Sequence, residues 1–148
     1  MAKSKVGAVG GNEAGHLIAS VSGVNNMTGT TAIVKVIDID EVDNISFDVS
    51  WTGTPTGTFI VEVSNSYLPN PKDLSGQGTA GIRVGSWNPV TSTVDGAIVN
   101  PAGASGKCIF GFNPTKFAMA FSFMRLTYTN SAGTGQLDVW MSGKAIGA

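Results

Sequence analysis

The sequence predicts an all-β domain: an antiparallel two-sheet β-sandwich, jelly-roll-like, of about eight strands, with an extended N-terminal arm. Three observations carry that expectation. Glycine (20) and proline (6) break the 148 residues into short runs, well above their usual share. Valine and isoleucine, which favour pleated backbone, number 15 and 10. The clearest run alternates Ile45, Phe47, Val49 and Trp51 with Ser46, Asp48 and Ser50, the period of two expected of a strand with one wet face.

The elements follow in chain order. Residues 1–30 carry glycine at positions 7, 10, 11, 15, 23 and 29, and one apolar cluster, Leu17, Ile18 and Ala19 with Val21 and Val24. This stretch is expected to be an arm that lies on a neighbour and adds little to domain stability; residues 31–148 form the sandwich. Ala32–Ile37 is a β-branched run, and the strand at 45–51 is expected to pair with Phe59–Ser64 as a hairpin turned by Pro55 and Gly57. A long irregular stretch spans 65–81, a length at which loops are often functional. Shorter strands are expected at Ile82–Trp87, Val90–Val94 and Lys107–Phe112. Three phenylalanines at 117, 121 and 123, running into Arg125–Thr129 without a cap, argue for strand over helix there. A second hairpin closes the chain, with Met124, Leu126 and Tyr128 alternating outward before Leu137, Val139 and Met141 return. Trp51, Phe47, Phe59, Phe123 and Leu126 are the expected core.

Charged residues are 13 % of the chain and the net charge is −1. That balance offers no footprint for nucleic acid or an anionic membrane. Fourteen serines, fourteen threonines and ten asparagines supply a neutral polar surface instead. No apolar run reaches signal-peptide or membrane-spanning length, so a soluble chain is expected. One cysteine, Cys108, excludes an internal disulfide, and it is expected to be a buried, inert thiol.

Chemistry-bearing constellations are sparse. The single imidazole, His16, lies in the arm with nothing rigid to orient it as a catalytic base. Asp48, Glu62 and Asp138 fall at outward strand positions, where a sheet puts solvated charge. Asp38, Asp40, Glu41 and Asp43 hold oxygen ligands for Ca²⁺, but the run lacks the turn glycine and distal glutamate of the common calcium loop and is expected to be a solvated turn. No enzyme, metal or cofactor is expected. Trp140, opposite in parity to Val139 and Met141, and Tyr67, in the long loop, are the aromatics least explained by the core. With Leu17, Ile18 and Val21 of the arm they form the expected partner-binding set.

The run Ser46–Asn65, the Trp87-Asn88-Pro89-Val90 segment and the closing stretch from Met124 to Lys144 resemble a pattern in small virion proteins of tailed bacteriophages. The resemblance covers roughly residues 44–144 and implies a non-enzymatic β-sandwich component of the virion. It carries over framework residues and turns, not catalytic ones. The resulting expectation is a capsid decoration or cement protein, self-associating as a trimer or a ring within the shell and bound to the major capsid protein. The alternative is a glycan- or receptor-binding module of a tail or fibre. Asn65, Asn70 and Gln136 are the hydrogen-bonding neighbours a sugar would use in that case. On sequence alone, Trp140→Ala is expected to cost packing or subunit contact, with no glycan binding in either form.

Overall fold

A computed structural model describes residues 8–9, 12–18, 26–30, 32–40, 42–67, 85–113, 115–116 and 119–144. Within them the chain forms β1 (Ala8–Val9), β2 (Asn12–Ile18), β3 (Asn26–Met27), β4 (Ala32–Asp38), β5 (Asn44–Gly53) and β6 (Thr56–Ser64). After these come β7 (Asn88–Pro89), a 3-10 turn at Thr91–Thr93, β8 (Asp95–Gly96), β9 (Gly106–Gly111), β10 (Phe123–Ala132) and β11 (Gly135–Lys144). One sheet has seven strands in the order β1-β2-β11-β5-β9-β8, with β3 also on β11; the other has four, β4-β10-β6-β7. Every pairing is antiparallel.

The two sheets come from a ribbon rolled over on itself. β6 pairs with β7, β5 with β9, β4 with β10 and β2 with β11, so each pair encloses the one before it. Successive pairs alternate between the two sheets. That nesting is jelly-roll topology, as the sequence predicts.

Inward residues of both sheets meet in one core. Phe47, Val49 and Trp51 of β5 and Leu137, Val139 and Met141 of β11 face Phe59, Val61 and Val63 of β6 and Met124, Leu126 and Tyr128 of β10. Rings pack side by side within each sheet, Phe59 and Tyr128 with centroids 4.8 Å apart and Phe47 and Phe110 5.3 Å apart, and Trp51 meets Phe59 across the layers at 5.9 Å. The Trp51 indole N–H donates to the Ala104 carbonyl at 2.9 Å, which makes its burial affordable. Gly106 leaves the space for that indole, since a Cβ there would stand 2.7 Å from Trp51 Cζ2.

Both expected hairpins are instead corners between the sheets. β5 and β6 lie in different sheets, as do β10 and β11. An apolar/polar alternation reads the same in either arrangement, because the inward side chains of a hairpin share a face and those of a corner face each other. The two corners bond to one another, Thr54 N–H donating to the Thr134 carbonyl at 2.8 Å. Met124, Leu126 and Tyr128 are therefore inward and fully buried rather than outward. Phe123 is outward, in an edge-to-face contact with Tyr67 at a centroid separation of 5.2 Å, rather than in the core.

Further corrections concern the short strands and the arm. Val90–Val94 holds a 3-10 turn in place of a strand, and Thr93 Oγ1 closes it onto the Val90 carbonyl at 2.7 Å. Residues 85–87 are not strand, and 82–84 lie outside the described residues. The expected strand at 107–112 is β9. Over Asn12–Ile18 the supposed arm is a strand of the large sheet, hydrogen-bonded to β11. Ile18 is 1 % exposed and Met27 is fully buried, so this stretch contributes to the core. Ile18→Ala is accordingly expected to lower the unfolding free energy by about 2–4 kcal/mol in urea titration. A loss under about 0.5 kcal/mol, the usual surface value, would mean that β2 is dispensable.

Candidate functional site

The outer face of the large sheet carries one row of unlike side chains. Register places His16 beside Trp140, Trp140 beside Asp48 and Asp48 beside Ile109, across β2, β11, β5 and β9. Counting by two from the buried Ile18 would turn His16 inward. A β-bulge intervenes: Val139 pairs with Ile18 and Trp140 with His16, so Leu17 is the extra residue that flips the imidazole outward. The imidazole lies on the indole of Trp140 with centroids 4.2 Å apart and planes 3° from parallel. His16 Nε2 meets Asp138 Oδ1 at 2.5 Å, so a carboxylate on the same strand as the indole fixes the imidazole.

Beside the indole a slot of about 430 Å³ opens, lined by Trp140, Ile109, Asp48, Ser46, Ser142 and Gly15. Trp140 is 50 % and Ile109 65 % exposed, the two most exposed large apolar side chains of the described structure. Asp48 is exposed between them and accepts no hydrogen bond from any described residue.

The other residues singled out by sequence lie elsewhere. Leu17 is half-buried against the core, Ile18 is inside it, and Val21 falls outside the described residues. Tyr67 is half-buried on the opposite face of the sandwich, its ring 5.4 Å from Trp87. There Arg125 Nε donates to Glu62 Oε1 at 2.8 Å and its guanidinium covers Trp87 at 4.4 Å. Glu62 is thus an ion-pair partner rather than a merely solvated charge. Asn65, expected beside a sugar, instead accepts the Ser122 N–H at 2.9 Å, and Asn70 falls outside the described residues.

In the acidic cluster Asp38 Oδ1 accepts the Asp40 N–H at 3.1 Å, closing the turn after β4; Glu41 lies outside the described residues. Among the described residues no three His, Cys, Asp or Glu side chains converge as a metal site. Cys108 is half-buried, and burial pushes its thiol up from the ordinary range, which disfavours the reactive thiolate. No described helix is long and apolar enough to cross a membrane. No protein-family profile matches the chain, and no curated protein matches it.

Proposed function

We propose that the chain is a non-enzymatic structural protein of a phage virion, a capsid decoration or cement protein that self-associates and ties neighbouring capsomers together. The observation that carries the reading is the outer face of the four-stranded sheet. Register aligns Val34, Thr127 and Ile60 in one row, with Ala32, Thr129 and Thr58 in the next. Val34, Val36 and Ile60 are 46 %, 38 % and 37 % exposed. The Thr127 hydroxyl is buried among its neighbours with no hydrogen-bond partner, so even the polar member of the central row presents little to water. Covering such a face gains roughly 25 cal/mol per Å² of apolar area and strips few charges of water. β4 is the edge of this sheet and bears Lys35 at an inward position between Ile33 and Ile37. An inward charge on an edge strand discourages strand-to-strand aggregation and leaves the outer face as the surface for partners.

The expected result is an oligomer in light scattering that binds expanded capsids. Ile60→Glu, placing a carboxylate in the middle of the face, should return the protein to its 15.2 kDa monomer and weaken capsid binding at least about tenfold. A wild-type monomer that also fails to bind capsids would overturn the reading. A glycan- or receptor-binding module of a tail or fibre is the second reading, favoured by the slot beside Trp140. Imaging of the particle separates them: density on the icosahedral lattice supports cement, and density at the tail tip supports the receptor-binding module.

A further inference from the structure

We infer that the slot between Trp140 and Ile109 binds a neutral pyranose sugar. The inference deepens the second reading, a glycan-binding module, and is independent of the capsid reading; it departs from the sequence-based expectation that Trp140 serves packing or subunit contact without binding a glycan. Shape comes first. The walls stand on β11 and β9, each one strand away from β5, so they are about 10 Å apart at the backbone, room for one ring between side chains. The volume of about 430 Å³ falls within the range of small-molecule sites.

The chemistry of the lining matches a sugar ring in two directions. A pyranose has C–H faces and a hydroxyl rim. The indole of Trp140 and the side chain of Ile109 offer apolar walls to the faces. The rim meets the floor, where Asp48 has an unused carboxylate and Ser46 and Ser142 offer hydroxyls. A carboxylate accepting from sugar O–H groups forms the stronger, charge-assisted class of hydrogen bond.

His16 gives the site its rigidity. Stacked flat on the indole and held by Asp138, it restrains the ring before any ligand arrives, so little side-chain freedom is lost on binding. Charge decides against a lysine or arginine side chain as the occupant. Lys107 lies on the same outer face, paired with Ser50 two residues along β5 from the Asp48–Ile109 pair. A positive charge on this face disfavours a second cation and leaves a neutral ligand unaffected.

The test uses the full chain, ¹⁵N-labelled, titrated with free glucose, galactose, mannose, rhamnose and N-acetylglucosamine, and separately with N-acetylarginine amide. At least one sugar should shift the Trp140 indole N–H and the Asp48 amide saturably, with a millimolar Kd. Asp48→Ala, at an exposed position that leaves the fold intact, should weaken that sugar at least about tenfold, the size expected of a lost charge-assisted bond. Trp140→Ala should abolish binding and Trp140→Phe retain part of it. The inference is overturned if no sugar gives saturable shifts, if Asp48→Ala leaves the affinity unchanged, or if only the arginine probe binds.

Discussion

Gly133→Ala is expected to cost about 3–5 kcal/mol, enough to leave a domain of ordinary stability largely or wholly unfolded in mild urea. Two effects add. Gly133 has φ of +69°, where an L side chain is strained by roughly 1–2 kcal/mol. A Cβ there would also fall inside the contact shell of the Thr54 carbonyl oxygen and close to Pro55 Cα, which are backbone atoms of the facing corner. That corner cannot yield freely, because Thr54 N–H is bonded to the Thr134 carbonyl next door and the Pro55 carbonyl accepts Gly103 N–H at 2.8 Å. Gly103→Ala is the matched control. Its φ is +87° but nothing lies within 4 Å of the added carbon, so only the strain is incurred. Urea unfolding of both variants measures the difference. Equal losses would mean that contact between the corners contributes nothing.

The second large effect is expected at Asn130, which is 1 % exposed and ties three segments together. It accepts the Tyr128 hydroxyl proton at 2.8 Å and donates through Nδ2 to the Gly29 and Gly133 carbonyls at 3.0 and 3.1 Å. Asn130→Ala removes all three bonds and leaves a buried phenol without its acceptor, a loss of about 3–4 kcal/mol. Tyr128→Phe alone removes one bond and should cost about 1–1.5 kcal/mol. In the Asn130→Ala background the same replacement should cost close to nothing, a coupling that a double-mutant cycle in urea reads directly. The pH dependence provides a further check. Burial raises the Tyr128 pKa above its ordinary value, so the folded state keeps this proton where the unfolded chain has lost it. Its contribution is therefore fully present below about pH 10 and fades as pH rises through the folded pKa. Tyr128→Phe should remove that alkaline decline.

The alternation of β5 made its inward face legible, and Trp140 stood out because its parity opposes that of Val139 and Met141. Which sheet a strand joins was not legible. The short corners at Thr54-Pro55 and Gly133-Thr134 have the composition of hairpin turns, and only long-range hydrogen bonds tell the two apart. β2 escaped notice because Asn12–Ile18 has two large apolar residues, both at its end, and its bulge breaks the period there. For the same reason His16 read as unanchored, although it is the residue that braces the indole. Ile109 could have been found: Phe110 and Phe112 share the inward parity, which puts Ile109, the residue before Phe110, on the outer face. Asp48 carried no signal beyond outward parity, since its neighbours come from strands distant in the chain.

The nested ribbon also implies an order of assembly. Val63 meets Asn88, Val49 meets Cys108, Val34 meets Thr127 and Gly15 meets Met141, each pair closing a longer loop than the last. Loop-closure entropy makes the inner pairs the least expensive to form, and each one brings the next pair of strands closer. Closure of this kind is dominated by contacts distant in sequence, which places the chain among slow folders on the millisecond-to-second scale. By the same entropy β2 is expected to add last, once β11 is in place. The His16–Trp140 stack, and with it the finished wall of the slot, thus belongs to the final step of folding, so a chain caught short of that step would have the sandwich without its binding face.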